Sequence, residues 1–268
     1  YCDPHNDKLP FSKEIVDKWM GVDQYIGGVE HAVMHLLYAR FFEKILRDLG
    51  MVSANEPFKK LLTQGMVLSQ SYYSEKERRF IFPQDVEVKG DKAFLKSTGE
   101  ELVTKMEKMS KSKNNGVDPE EMVLKYGADT TRLFIMFAAP PEKELEWSEN
   151  GLAGAYRFLT KIWRLVMENK DDLDPAEVDM SKINRDDKAL LIKMNQTIKR
   201  VTDSIENDYH FNTAIAATME LINDTLDYRN NILDAGKGTS ESKKIFDDVI
   251  QKILVMLSPF IPHICDEL

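Results

Sequence analysis

Residues 24–50 read QYIGGVEHAVMHLLYARFFEKILRDLG, and this stretch decides the fold class. Gln24-Tyr25-Ile26 is a short β-like run that meets Gly27-Gly28 and passes directly into a segment with helical spacing. There Val29, Val33, Leu36, Leu37, Phe41, Ile45 and Leu49 recur at three and four, predicting an amphipathic helix that stops at Gly50. Strand, Gly-Gly turn, helix is one step of a parallel α/β sheet. Gly65 to Ser69 (GMVLS) is a second buried-strand candidate. On the upstream side Asp3, Pro4, Asn6 and Pro10 are turn formers, and Ser12 is placed to cap KEIVDKWM.

Downstream the pattern changes twice. From Ser71 to about Lys105, apolar and polar residues alternate, with turn signals at Lys89-Gly90-Asp91 and Ser97-Thr98-Gly99. This predicts a small antiparallel insertion in the α/β domain. A basic loop, KMEKMSKSKNNGVDPEE, follows and ends in a helix start: Asp118 as N-cap, Pro119 at N1, Glu121 at N3. Beyond Pro140-Pro141 the spacing is purely helical, near 150–169, 186–207, 211–234 and 242–257, with turn-rich links between. Four helices with short links predict an antiparallel bundle. The expected organisation is therefore α/β plus all-α, with domains 1–147 and 148–268, and the aromatic residues Tyr156, Phe158 and Trp163 in the bundle core.

Composition excludes several classes. The 268 residues are 43% hydrophobic and 30% charged, so disorder and low complexity are ruled out. No run of about 18 apolar residues exists to span a membrane. Cys2 and Cys265 lie at opposite ends and build no disulfide or metal framework, which favours a reducing compartment, the cytoplasm. A net charge of −9 argues against coating nucleic acid by bulk electrostatics, though not against a local basic site. Residues 148–268 hold 15 basic and 21 acidic side chains, so the bundle is no basic platform. The chain starts at Tyr1 and stops at PHICDEL, where a helix is just beginning after Pro262, so we expect a piece of a longer protein or one subunit of a split one.

Three places could carry chemistry. Between Lys105 and Asn115 stand four lysines and one glutamate. Mobile ammonium groups, serine hydroxyls and loop amides suit charge developing on a leaving pyrophosphate; a solvated basic turn is the alternative. Gly27-Gly28-Val29-Glu30-His31 sits at the strand-to-helix turn, where missing Cβ atoms admit a flat ring and Glu30 could accept from ribose hydroxyls; a plain tight turn reads equally well. His31 and His35, four apart, fall on one helix face. No Cys or acidic cluster is placed to complete a zinc site with them, so they read as a polar pocket wall or as satisfied core histidines. His210 and His263 begin helices and receive no chemistry. No P-loop and no GxSxG motif occurs.

The motifs together resemble a known family. Lys108-Met109-Ser110-Lys111-Ser112 is similar to the KMSKS signature of class I aminoacyl-tRNA synthetases. With YIGGVEHAVMHLLYARFF upstream, KSKNNGVDPEEMVLKYGADTTRLFIMFAAPPEKELEW downstream, and FNTAIAATMEL and LSPFIPHICDEL further on, essentially the whole chain resembles the bacterial-type leucyl-tRNA synthetases. The resemblance implies part of a Rossmann-type core, with a compact leucine-specific-type insertion, followed by an anticodon-binding-type helical bundle. It implies formation of leucyl-adenylate from leucine and ATP, the latter carrying Mg²⁺ on its triphosphate, and transfer of leucine to tRNA(Leu). Lys108, Lys111 and Ser112 match the catalytic loop, with Met109 and Ser110 at the ATP site. Gly27, Gly28 and Glu30 match the adenosine site, Met66, Val67 and Leu68 the strand beside adenine, and His31 and His35 the wall towards the leucine pocket.

The departures bound the function as firmly. These residues contain no His-x-Gly-His motif, which the family uses as the other half of its phosphate site, and neither the editing domain nor the C-terminal tRNA-binding extension. Selection by one methylene is worth only about 1–3 kcal/mol, which is why the family edits. The chain therefore reads as the KMSKS half of the enzyme, inactive without its N-terminal half. A non-catalytic tRNA-binding module derived from the same fold is the rival reading.

Overall fold

The computed structural model describes residues 2–171, 173, 176–206 and 209–268. They form two compact units, one of residues 2–66 with 141–144, the other of 67–140 with 145–268.

In the first unit, helix α1 (Lys13–Trp19) is capped by Ser12, whose hydroxyl accepts from the Ile15 amide. Strand β1 (Tyr25–Gly28) pairs in parallel with β2 (Leu61–Gln64), Tyr25 opposite Leu61 and Gly28 opposite Gln64. Between them a 3₁₀ turn (Val29–Val33) leads to helix α2 (His35–Asp48). Strand, turn and helix thus follow the expected order, but one continuous helix from Val29 does not form. Met34, at φ −120° and ψ −98°, breaks it and separates His31 from His35. The parallel partner of β1 is Leu61–Gln64, and directly after it Gly65 lies hard against residues 141–144. Its amide donates to Pro141 O at 2.9 Å, and a Cβ at this position would fall on the Lys143 carbonyl and 2.8 Å from the Glu144 nitrogen.

The apolar stripe of α2 is not a core face. Leu37, Tyr38, Phe41 and Phe42 are exposed, Tyr38 to 68%, while the one buried residue of the helix is Glu43. Burial, and then Asp17, raise the Glu43 carboxyl above its ordinary pKa. Arg40 and Lys44 both pair with Glu56 (2.7 and 2.9 Å) and hold its carboxyl down at about 2.

The second unit begins with strands β3 (Val67–Ser74), β4 (Arg79–Ile81), β5 (Val86–Lys89), β6 (Lys92–Leu95) and β7 (Glu101–Lys108). They make an antiparallel sheet in the order β4-β3-β7-β6-β5, and the short β8 (Leu145–Glu146) adds to β3 in parallel. Alternation buries Ile81, Val86, Ala93, Leu95 and Leu102 on one side. The expected turns at Gly90 and Gly99 fall between strands, both glycines at positive φ. The sheet starts at Val67, so of the expected strand GMVLS only Val67–Ser69 belongs to it, and Gly65 and Met66 lie outside any strand.

Helices α3 (Pro119–Tyr126), capped by Asp118, and α4 (Ala128–Ala138) connect the sheet to α5 (Glu149–Met167), α6 (Arg185–Glu206), α7 (Phe211–Tyr228), α8 (Ser240–Leu257) and α9 (Pro262–Glu267). The four expected long helices are present, within a few residues of their expected bounds. The expected link after Met167 and the end of the second helix fall partly on residues outside the described ones. Leu133, Leu152, Ile162, Ile215, Leu221, Ile222, Ile245, Ile250 and Ile253 form the centre of one core. Tyr156 and Trp163 do not join it. They are 52% and 38% exposed, seven residues apart on the flank of α5, because Leu152, Ala155, Leu159, Ile162 and Val166 take the inward stripe. Phe158 packs partly buried against the core.

Two polar devices tie this core. Asp187, fully buried, accepts from Tyr228 Oη (2.5 Å), Ser242 Oγ (2.8 Å) and the Asn184 amide (2.9 Å). Helix α4 holds the α8–α9 turn: Arg132 donates to Phe260 O and Pro259 O, and Asp129 accepts from the Ile264 amide and pairs with His263 Nδ1. Burial, with Asp129 nearby, pushes the Cys265 thiol up to about 12.

Asp187→Ala should lower the stability of the helical core by roughly 3 kcal/mol, since it removes the buried acceptor shared by Tyr228, Ser242 and the Asn184 amide, and Asp187→Asn by less; chemical denaturation checks both. Gly65→Ala should cost about 1–3 kcal/mol through overpacking against Lys143. A cost at Gly65 no larger than that of Gly90→Ala, where nothing lies within 4 Å and only the positive φ of 62° is strained, would contradict the close approach.

Candidate active site

In the first unit, the residues expected at a nucleotide site cluster around the end of β1. Glycine at 28 leaves room for the Glu30 side chain to fold back, since a Cβ there would lie 2.8 Å from the Glu30 carboxyl carbon. At Gly27 a Cβ would meet the Tyr25 ring at 3.3 Å. Tyr25 stacks on His35 with ring centroids 5.5 Å apart, and its hydroxyl lies 2.9 Å from His35 Nδ1. Phe58 closes on Tyr25 from β2's approach, centroid to centroid 4.4 Å. The His31 and His35 rings meet edge to face at 6.4 Å. Among the described residues, His31 Nδ1 is buried without a hydrogen-bond partner. The turn therefore gathers an aromatic and imidazole wall, with the Glu30 side chain lying over Gly28 and the Tyr25 ring over Gly27 in the space their missing Cβ atoms leave.

Met66 lies at the end of the first unit, whereas Val67 and Leu68 open β3 in the second. There they stand directly beside the basic loop. Leu68 is in register with Lys108, and the Met109 amide donates to Val67 O at 2.9 Å. On the other side of β3 the Trp147 amide donates to Leu68 O, also at 2.9 Å.

The loop is short and shaped. Lys108 is the last residue of β7, and Lys111–Lys113 make one 3₁₀ turn, closed by Lys113 N to Ser110 O (3.1 Å). The Ser110 and Ser112 hydroxyls lie 3.2 Å apart. Lys108, Lys111 and Ser112 are exposed. Asn114 takes the left-handed conformation, φ 53°, and donates from its side chain to Phe80 O at 2.9 Å. Asn115 is buried, and its Oδ1 accepts from the Ser110 amide at 2.9 Å. Its Nδ2 donates to Ser69 O at 3.2 Å.

Charge counting singled out the lysines and passed over these asparagines. The available signal was Asn-Asn-Gly directly behind the turn, since asparagine and glycine are the residues that tolerate positive φ. The loop offers several cations and hydroxyls at the mouth of a rigid strand pair. Chemically it can stabilise negative charge on a polyphosphate; it holds no acid–base pair or nucleophile of its own.

Known proteins match this chain over two stretches and along its whole length. Residues 79–148 match the family of class I tRNA synthetases (I, L, M and V), and residues 187–268 match the anticodon-binding domain of tRNA ligase. The leucine–tRNA ligase of Fusobacterium nucleatum is 67% identical over all of this chain and 31% of its own length. That of Marinobacter nauticus is 45% identical over all of this chain and 32% of its own. A crystal structure of the LeuRS–tRNA–LeuAMS ternary complex of Agrobacterium radiobacter superposes with a TM-score of 0.72 at 28% identity, covering 96% of this chain and 28% of that one. Methionyl-tRNA synthetase of Mycobacterium tuberculosis shares the fold, with a TM-score of 0.60 at 16% identity over 95% of this chain and 45% of that one. The chain belongs to the leucine–tRNA ligase family of class I tRNA synthetases and spans about 31% of the length of the curated relatives it matches.

Proposed function

We propose that this chain is the part of a leucine–tRNA ligase that supplies the lysine loop of the ATP site and a tRNA-binding helical region. The observation that carries the reading is the loop itself. Lys108, Lys111 and Ser112 stand exposed on a turn fastened to β3 and β7, next to Val67 and Leu68. In the reaction the leucine carboxylate attacks the α-phosphorus of ATP, the bond to the β-phosphate oxygen breaks, and pyrophosphate leaves with the negative charge. Lys108 and Lys111 meet that charge as it develops, and Ser112 adds a hydroxyl donor. Gly27 and Gly28 admit the adenosine, Glu30 accepts from the ribose, and Met66, Val67 and Leu68 pack beside adenine. His31 and His35 form the wall towards the leucine side chain. Mg²⁺ enters with the triphosphate as part of the substrate; among the described residues no three His, Cys, Asp or Glu side chains are gathered for a metal.

The domain assignment follows: residues 1–147 as the KMSKS half of a Rossmann-type core, residues 148–268 as the anticodon-binding-type bundle gripping tRNA(Leu). Among the described residues no helix is long and apolar enough to cross a membrane, and we assign the protein to the cytoplasm. The partner implied by an incomplete core is the half that carries the His-x-Gly-His motif and the editing domain. The exposed stripe of α2 supports it, because a helix in a doubly wound fold buries that stripe against its own sheet.

The isolated chain should show no leucine-dependent ATP–pyrophosphate exchange; robust exchange would overturn the split of the active site. In a full-length enzyme carrying this segment, Lys111→Ala should lower exchange turnover by about 10²–10³-fold, the scale of losing one transition-state donor, with leucine affinity unchanged. Lost leucine affinity with preserved turnover would remove the loop from the phosphate site.

A further inference from the structure

The lysines of the loop are not equivalent. Glu107, one residue before the signature, accepts from Ser71 Oγ at 2.5 Å and pairs with Lys113 Nζ. Its side chain is only 15% exposed and that of Lys113 31%, against the exposed Lys108 and Lys111. Beneath the pair, Asn115 is 1% exposed and stitches Ser110, Ser69, Glu107 and Lys108 together through its side-chain amide. Ser71 and Ser69 belong to β3, Glu107 and Lys108 to β7, and Asn114 reaches Phe80 of β4. The turn is thus bound at both ends, and the one lysine after the signature is folded back onto the strand before it.

We propose that Glu107 and Lys113 form a clasp that presets the 108–113 turn, which makes both of them positioning residues and leaves Lys108 and Lys111 to meet the phosphates. This rests on the reading of the loop as a polyphosphate site and sharpens it. The physical argument has two parts. A free loop must lose conformational freedom each time it closes on substrate, whereas one already pinned meets the transition state at lower cost. A carboxylate one residue from a phosphate-binding lysine would also repel the triphosphate unless a cation neutralises it, and Lys113 lies on it. The Glu107 carboxyl, held below its usual range first by Lys113 and then by Ser71, stays ionised and keeps the pair charged.

The test is a double-mutant cycle with Glu107→Ala, Lys113→Ala and the double variant, plus Lys113→Arg. Amide hydrogen exchange on this chain should speed up at Lys113 and Asn114 by about tenfold in each single variant, no further in the double, and return in Lys113→Arg; tenfold corresponds to a coupling near 1.4 kcal/mol. In a full-length enzyme carrying the segment, each single variant should lower kcat of pyrophosphate exchange several-fold, with the KM for ATP held. Unchanged amide protection in both single variants would overturn the clasp. So would a Lys113→Ala defect as deep as that of Lys111→Ala alongside an unaffected Glu107→Ala, since Lys113 would then be a phosphate ligand. Should the unmodified full-length enzyme show no exchange at all, the functional reading falls while the amide data still decide the clasp.

Discussion

The antiparallel pairing of β3 with β7 is the constraint on which the candidate site depends. Six registered pairs from Leu68–Lys108 to Tyr73–Val103 fix where the basic turn emerges. Because a strand reverses face at every residue, a slip by one would turn Lys108 and Glu107 over together. It would also carry Ser71 away from Glu107 and Ser69 away from Asn115. The same strand accepts from Trp147 and pairs with β8 on its other side, so the segment leading to α5 is referenced to the same ladder. A mobile-looking run of lysines and serines is therefore set by backbone bonds among neutral, unremarkable residues.

How much of this was legible in the sequence depended on the range of the signal. Local signals read correctly: Ser12 and Asp118 as caps, the turns at Gly90 and Gly99, the spacing of Leu190, Met194 and Val201 in α6. Each depends on residues within a turn or two. Strand β2 was missed because Leu-Leu-Thr-Gln is too short to show alternation, and it is a strand only through pairing with β1. The break at Met34 has no glycine or proline to announce it. Tyr156 and Trp163 look like core because they are large and aromatic, but seven-residue spacing only states that they share a face, not which face is inward.

The site shows the same division. Charge is visible in a one-dimensional string, so Lys108 and Lys111 stood out; Asn115 acts through Ser69, 46 positions away, and nothing local marks that contact. The α2 stripe is the reverse case. Its periodicity is real, and a helix forms from His35 onward, yet Glu43 faces inward and the phenylalanines face water. Periodicity reports that a helix has an apolar side to bury, and leaves open which surface buries it. For a chain spanning under a third of its relatives' length, that gap is expected.

Helix α4 falls within the stretch matched to the synthetase family, and the α8–α9 turn within the stretch matched to the anticodon-binding domain. Arg132 and Asp129 nonetheless cap that turn across about 130 positions of sequence, and Leu133 and Phe134 sit in the same core as Ile253 and Leu257. A border between two families is thus not a border in the packing. The two stretches share one compact unit and one apolar core, so the last helix is fastened to α4 by the same bonds that close the α8–α9 turn.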